Sequence, residues 1–210
     1  MIEYNVFHEM VRRQYLQRAR IRFDQTGASS KRLERPLKSR VDRQDGPCYL
    51  FGGLFFLGTS FTQFNGKGFW TRDAYLEVWL GALVQEIDHL HSLSEAEWLA
   101  LVRQEWHLQA TAGFSGWIHP DLDEWITNDE EKHLLIAVSE WAVTALAAYG
   151  DVIPCNVLNA LTSDETISSS EKDFTVDSPS APFLRVGRAF IQLLKGELIT
   201  TVGDKDAYVG

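Results

Sequence analysis

The sequence predicts an all-α fold, a single-domain irregular helical bundle of about seven to nine helices with at most a minor β element. Three observations predict it. Apolar residues recur at helical spacing along most of the chain, capping and stop residues bracket those stretches, and strand patterning is scarce. With 210 residues, 45% hydrophobic and 23% charged, the chain has globular composition and enough length to enclose a sizeable core.

Tyr4, Phe7, Val11 and Tyr15 share one helical face, and the same line runs on into Arg18 and Arg22. Residues 1–45 therefore read as a basic N-terminal helix and arm, broken by Gly27, Pro36 and the following Gly46. The first ten residues lack the basic start, apolar stretch and cleavage site of a secretory signal, so a cytoplasmic protein is expected. Residues 46–162 form a Trp-rich acidic core. Its most apolar stretch, 48–58, is interrupted by Gly52 and Gly53 and falls short of the roughly 20 residues of a membrane span, so it reads as a core segment.

Thr71 or Asp73 opens the next helix, with Leu76, Trp79, Leu80, Leu83, Ile87 and Leu90 as its apolar stripe. Ser94 and Glu97 form a capping box for a helix carrying Trp98, Val102, Trp106 and Gln109, which ends at Gly113. Pro120 suits the first position of a short helix. Asn128 and Glu131 make a second capping box for a helix through Leu134, Leu135, Val138, Trp141, Ala142, Ala145 and Tyr149, with Gly150 as its stop. A short helix follows from Pro154 to Leu161. Residues 163–182 are Ser-rich, acidic and sparse in apolar groups, a flexible loop. Residues 183–210 supply a closing helix, with Phe183, Val186, Phe190, Leu193 and Leu194 facing inward, and a tail frayed from Gly203. Leu198 to Val202 is the best strand candidate, the apolar stretch at 49–57 fits helix or strand, and "NGKGFWTR" reads only as a turn. All seven tryptophans lie between Trp70 and Trp141, which places the centre of the core there.

Chemistry-bearing motifs are sparse. Cys48 and Cys155 form no Cys-x-x-Cys pair and read as buried thiols. "GFSG" lacks the spacing of a nucleophile elbow, and "HPDLDEW" lacks the glycine and closing glutamate of a calcium loop. Two Glu-x-x-His motifs, Glu86/His89 and Glu130/His133, resemble the ligand pairs of ferritin-like di-metal bundles, with Glu105 and Glu9 as further candidates. At 100° per residue, however, Glu86 and His89 fall about 60° and about 120° from Leu83. Glu130 and His133 fall about 80° and about 140° from Val138. Those are flank and outer positions, so no metal, cofactor or catalytic residue is expected. A di-metal iron or manganese oxidase or hydrolase is the enzyme alternative.

Charge is the most informative bulk feature. The chain carries −9, yet residues 1–45 hold 11 Lys plus Arg against 6 Asp plus Glu, a net of +5 that leaves −14 for the remainder. From Asp73 to Glu140 there are 14 acids against Arg103 and Lys132. Five arginines in residues 12–22 could grip phosphates, but the acidic remainder would repel them, so nucleic acid is not the expected partner. The polarity points instead to a protein that binds or inhibits a basic partner. Its most concrete form is an immunity protein or antitoxin of the bacterial kind, covering a nuclease-like toxin domain with an acidic face. Asp121, Asp123, Glu124, Asp129, Glu130 and Glu131 are the candidate contacts, with Trp117 and Trp125 as hydrophobic anchors. A self-associating structural subunit, paired through the aromatic segment, is the third reading.

Overall fold

The structure is a computed structural model and describes residues 58–90, 97–112, 116–163 and 174–210. The basic N-terminal helix and arm, Cys48, Glu9, the apolar stretch at 48–57, Ser94 of the first capping box, Gly113 and the centre of the Ser-rich loop lie outside the described residues.

Chain order is β1 (Thr59–Phe64), β2 (Lys67–Arg72), α1 (Asp73–His89), α2 (Glu97–Thr111), α3 (Leu122–Trp125), α4 (Asp129–Ala147), β3 (Val152–Ile153), α5 (Cys155–Thr162), β4 (Ser178–Pro179) and α6 (Ala181–Lys195). A short 3-10 turn, Lys205–Ala207, closes the chain. The all-α expectation of seven to nine helices is therefore corrected: the described residues carry six α-helices together with two antiparallel two-stranded sheets.

The larger sheet is a hairpin whose two-residue loop is Asn65-Gly66, at φ 51° and 72°. Positive φ at both loop positions matches the right-handed twist of the strands, and Asn-Gly reaches that conformation at little cost. Phe64 faces Lys67, Phe61 faces Trp70, and Thr59 faces Arg72. The segment "NGKGFWTR" is thus turn plus strand.

The tail is tied down as well. Gly68 N–H donates to the Thr200 carbonyl (2.8 Å), Trp70 Nε1–H to the Val202 carbonyl (3.0 Å), and Val209 N–H to the Trp70 carbonyl (2.7 Å). Leu198 to Val202 is consequently no regular strand; it covers the outer edge of β2 through isolated bonds. Covering an edge in this way satisfies ladder groups that would otherwise face water or another chain.

The helices follow their periodicity. α1 is central and packs against α2, α4, α5 and α6, with Leu76, Trp79, Leu80, Leu83 and Ile87 buried. Trp79 and Trp106 meet Phe190 of α6 edge-on, with ring centroids 5.7 and 6.1 Å apart. That geometry suits the quadrupoles of the rings. Close crossings require two glycines: a Cβ at Gly81 would lie 2.1 Å from the Leu161 carbonyl oxygen, and one at Gly187 would lie 2.7 Å from Trp79 Cζ3. The short helix expected from Pro120 begins two residues later, at Leu122. No helix among the described residues is long and apolar enough to cross a membrane.

Candidate interaction surface

The acidic segment is built on a buried polar anchor. Asp73, the first residue of α1, is 1% exposed and accepts from Ser60 Oγ (2.7 Å) and from Gly116 N–H (2.5 Å). Ser60 Oγ accepts in turn from Ile118 N–H (3.1 Å). Hairpin, helix start and the 116–118 segment are thereby joined. Ile118 is drawn fully inward while Trp117 points out, 46% exposed. A buried carboxylate or hydroxyl costs free energy unless such partners are supplied. From the sequence Asp73 is expected only to open a helix; no periodic or motif signal marks this cluster.

The chain next runs through Pro120, whose carbonyl accepts from buried Trp106 Nε1–H (3.0 Å), to Asp121 in the left-handed conformation at φ 52°. The Asp121 carbonyl accepts from Glu124 N–H (2.9 Å) and starts α3. Asp123 is exposed, yet its Oδ1 accepts from Asn65 N–H (2.8 Å) at the hairpin loop. Glu124 is exposed and Trp125 half-buried against the core.

Asn128 caps α4: its Oδ1 accepts from Glu131 N–H (2.9 Å), while Glu131 Oε2 accepts from Thr127 N–H (2.7 Å) and Thr127 Oγ1 (2.9 Å). The reciprocal bond reaches one residue beyond the expected capping box. Those donors, led by the Thr127 N–H, hold the Glu131 carboxyl below the usual glutamate range. Asp129 is held low by its hydrogen bond and ion pair with Lys132. Glu130 is exposed.

Of the six acids proposed for partner contact, Asp123, Asp129 and Glu131 have the local partners just described, and Asp121 and Glu124 also interact with neighbouring groups. Asp123, Glu124, Asp129 and Glu130 face solvent; Asp121 and Glu131 are half-buried.

The Glu-x-x-His residues are placed differently. The Glu86 side chain is 17% exposed and that of His89 is 66% exposed, with Oε2 and Nδ1 4.0 Å apart. Glu130 and His133 are exposed near the start of α4, and Glu105 accepts from Gln109 Nε2 within α2 (3.0 Å). Among the described residues, no group of three or more His, Cys, Asp or Glu side chains is arranged to hold an ion. Cys155 is half-buried, a free thiol whose backbone N–H donates to Asp177 Oδ1 (2.9 Å).

Compared with known proteins, the chain matches no family model, no curated protein and no solved structure.

Proposed function

We propose that the chain is a binding protein whose acidic surface at residues 121–131, with Trp117 beside it, covers a basic partner protein. The concrete form is an immunity protein or antitoxin occluding the nucleic-acid cleft of a nuclease-like toxin. What supports this reading is that one stretch of the chain, residues 117–131, presents four solvent-facing acids, Asp123, Glu124, Asp129 and Glu130, and an indole that is 46% exposed. Peripheral carboxylates accelerate encounter with a basic cleft, whereas an aromatic group desolvated on docking slows dissociation. Residues 121–131 contain no Lys or Arg, and Lys132, which follows them, pairs with Asp129.

The test uses the double variant Glu124→Lys, Glu130→Lys, which leaves the bonds of Asp123, Asp129 and Glu131 intact. Proteins encoded beside this chain are screened for binding, and association with the strongest binder is followed at low and high salt. The expected partner is basic. Its association rate with the wild type falls as salt rises, and the variant lowers the low-salt rate by about tenfold with a flatter salt dependence. An acidic partner, or a rate insensitive to both salt and substitution, overturns the reading.

A further inference from the structure

Helix α4 has two apolar faces. Leu135, Val138, Ser139, Ala142 and Leu146 are buried in the core. Leu134, Ala137, Trp141 and Ala145, with Ala148 just past the helix end in helical conformation, form a second stripe with spacings of 3, 4, 4 and 3 residues. At 100° per residue this stripe stays within about 40° of one line, and that line is about 115° around the helix from the centre of the buried face. α6 packs on yet another side, marked by the ion pair of Lys195 Nζ with Glu140 Oε1 (2.8 Å). Trp141 is 45% exposed, Ala145 and Ala148 are exposed, and Leu134 and Ala137 are half-buried. The solvent-facing side of a surface helix is ordinarily polar, and sustained spacings of 3 and 4 belong to helix–helix seams.

We infer that this stripe is the seam of a two-fold dimer, in which α4 pairs antiparallel with α4 of a second copy of this chain and Trp141 lies at the axis. The stripe is self-complementary in that arrangement. With Trp141 meeting its own copy, Leu134 of each chain faces Ala148 of the other, and Ala137 faces Ala145. Leu134 then opposes a small side chain at each end of the seam, and the same patch serves both copies, as a two-fold interface requires.

Charge sets the direction. Parallel pairing would bring Glu130 against Glu130 and the acidic first turns, Asp129 to Glu131, against each other. Antiparallel pairing sets that end beside the turn after the other α4, where Tyr149 and Val152 are exposed and Asp151 is the only acid. The stripe itself has no charged side chain from Leu134 to Ala148. One pair of helices over about 21 Å covers less than the roughly 800 Å² per partner of a standard interface, so the dimer is weak and exchanges readily. Its expected Kd is on the order of 10–100 μM.

Sedimentation velocity of the full chain tests this across protein concentrations bracketing that Kd. The weight-average sedimentation coefficient rises with concentration for the wild type and stays at the monomer value for Ala145→Arg, whose unchanged circular dichroism and thermal midpoint report an intact fold. Direction is read in a Cys48→Ser, Cys155→Ser background with a short bis-maleimide. A mixture of Ala137→Cys and Ala145→Cys chains gives cross-linked dimer, and Ala137→Cys alone gives little. A wild type that stays monomeric overturns the inference and leaves the stripe to a different partner. Association that survives Ala145→Arg, or efficient cross-linking of Ala137→Cys with itself, overturns it as well.

Discussion

Glu131 illustrates how one side chain in the acidic segment divides its work between stability and charge. Its carboxylate accepts the otherwise unpaired Thr127 N–H just before α4, and this bond is stronger while the group is ionised. Since the folded protein holds the Glu131 carboxyl below its usual range, its contribution is fully present above the unfolded glutamate pKa of about 4.3. It is lost as pH falls through the lower folded value. Wild-type protein is therefore expected to lose more thermal stability than Glu131→Gln between neutral pH and about pH 3.5. The amide still accepts a hydrogen bond but does not titrate. Melting curves followed by circular dichroism at the two pH values decide this, and an equal loss in both proteins would remove the carboxylate from the cap. Buried Asp73 is the contrasting case, because its bonds fix structure and nothing of it reaches the surface.

At the scale of elements, helix packing yields a prediction in which two effects oppose. Gly→Ala in an exposed helix interior gains up to about 1 kcal/mol of helix propensity. At Gly81 the new methyl would meet the Leu161 carbonyl oxygen at 2.1 Å, where α1 crosses α5, and this main-chain neighbour can yield only by separating the helices. Overpacking of that kind typically costs about 1–3 kcal/mol, so the clash wins and Gly81→Ala is expected to be destabilised by about 2 kcal/mol in urea unfolding. An unchanged or raised midpoint would mean the crossing is looser than this geometry. The same contrast explains what the sequence made legible. α1, α2 and α6 largely bury the apolar faces that their 3.6-residue period marks, whereas of the face marked on α4 only Leu135, Val138 and Ala142 are buried and Trp141, Ala145 and Tyr149 face solvent; Asn128 and Gly150 sit at the ends of α4 as their chemistry suggests. The hairpin was hidden because its buried face carries Ser60, Thr62 and Thr71, while Phe61 and Trp70 pack on the outer one. Alternation of apolar and polar residues, the usual strand signal, is thereby blurred, and polar residues are buried because Asp73 and the 116–118 backbone provide partners for Ser60. The tail was illegible for another reason: individual bonds such as Thr200 Oγ1–H to the Gly68 carbonyl (2.7 Å) have no period to detect. In the acidic segment, sequence identified the charged residues but not their division into local partners and solvent-facing groups, which depends on Asn65 being brought to Asp123 from 58 positions away.

Across the whole molecule, charge should make stability and partner binding respond to salt in opposite senses. Residues 46–210 carry a net −14, and at low ionic strength like charges of that number repel one another in the compact state. The ion pairs among the described residues that oppose this, Arg103–Asp88, Lys132–Asp129 and Lys195–Glu140, lie at least partly in solvent, where each contributes little. Raising salt from about 10 mM to about 150 mM shortens the screening length from roughly 30 Å to roughly 8 Å. Repulsion spread over the surface weakens more than contacts of direct hydrogen-bonding length. The thermal midpoint is therefore expected to rise by a few degrees with salt, and Glu124→Lys with Glu130→Lys, which makes the chain four charges less negative, should raise the low-salt midpoint and reduce the further gain. Those same additions of salt and cationic side chains are expected to slow association with a basic partner. A midpoint that falls with salt would show that attractive pairs outweigh the surplus of acids, and the acidic segment would then be chiefly a stabilising device. A rising midpoint with slowing association identifies clustered carboxylates that cost the fold stability and serve recognition.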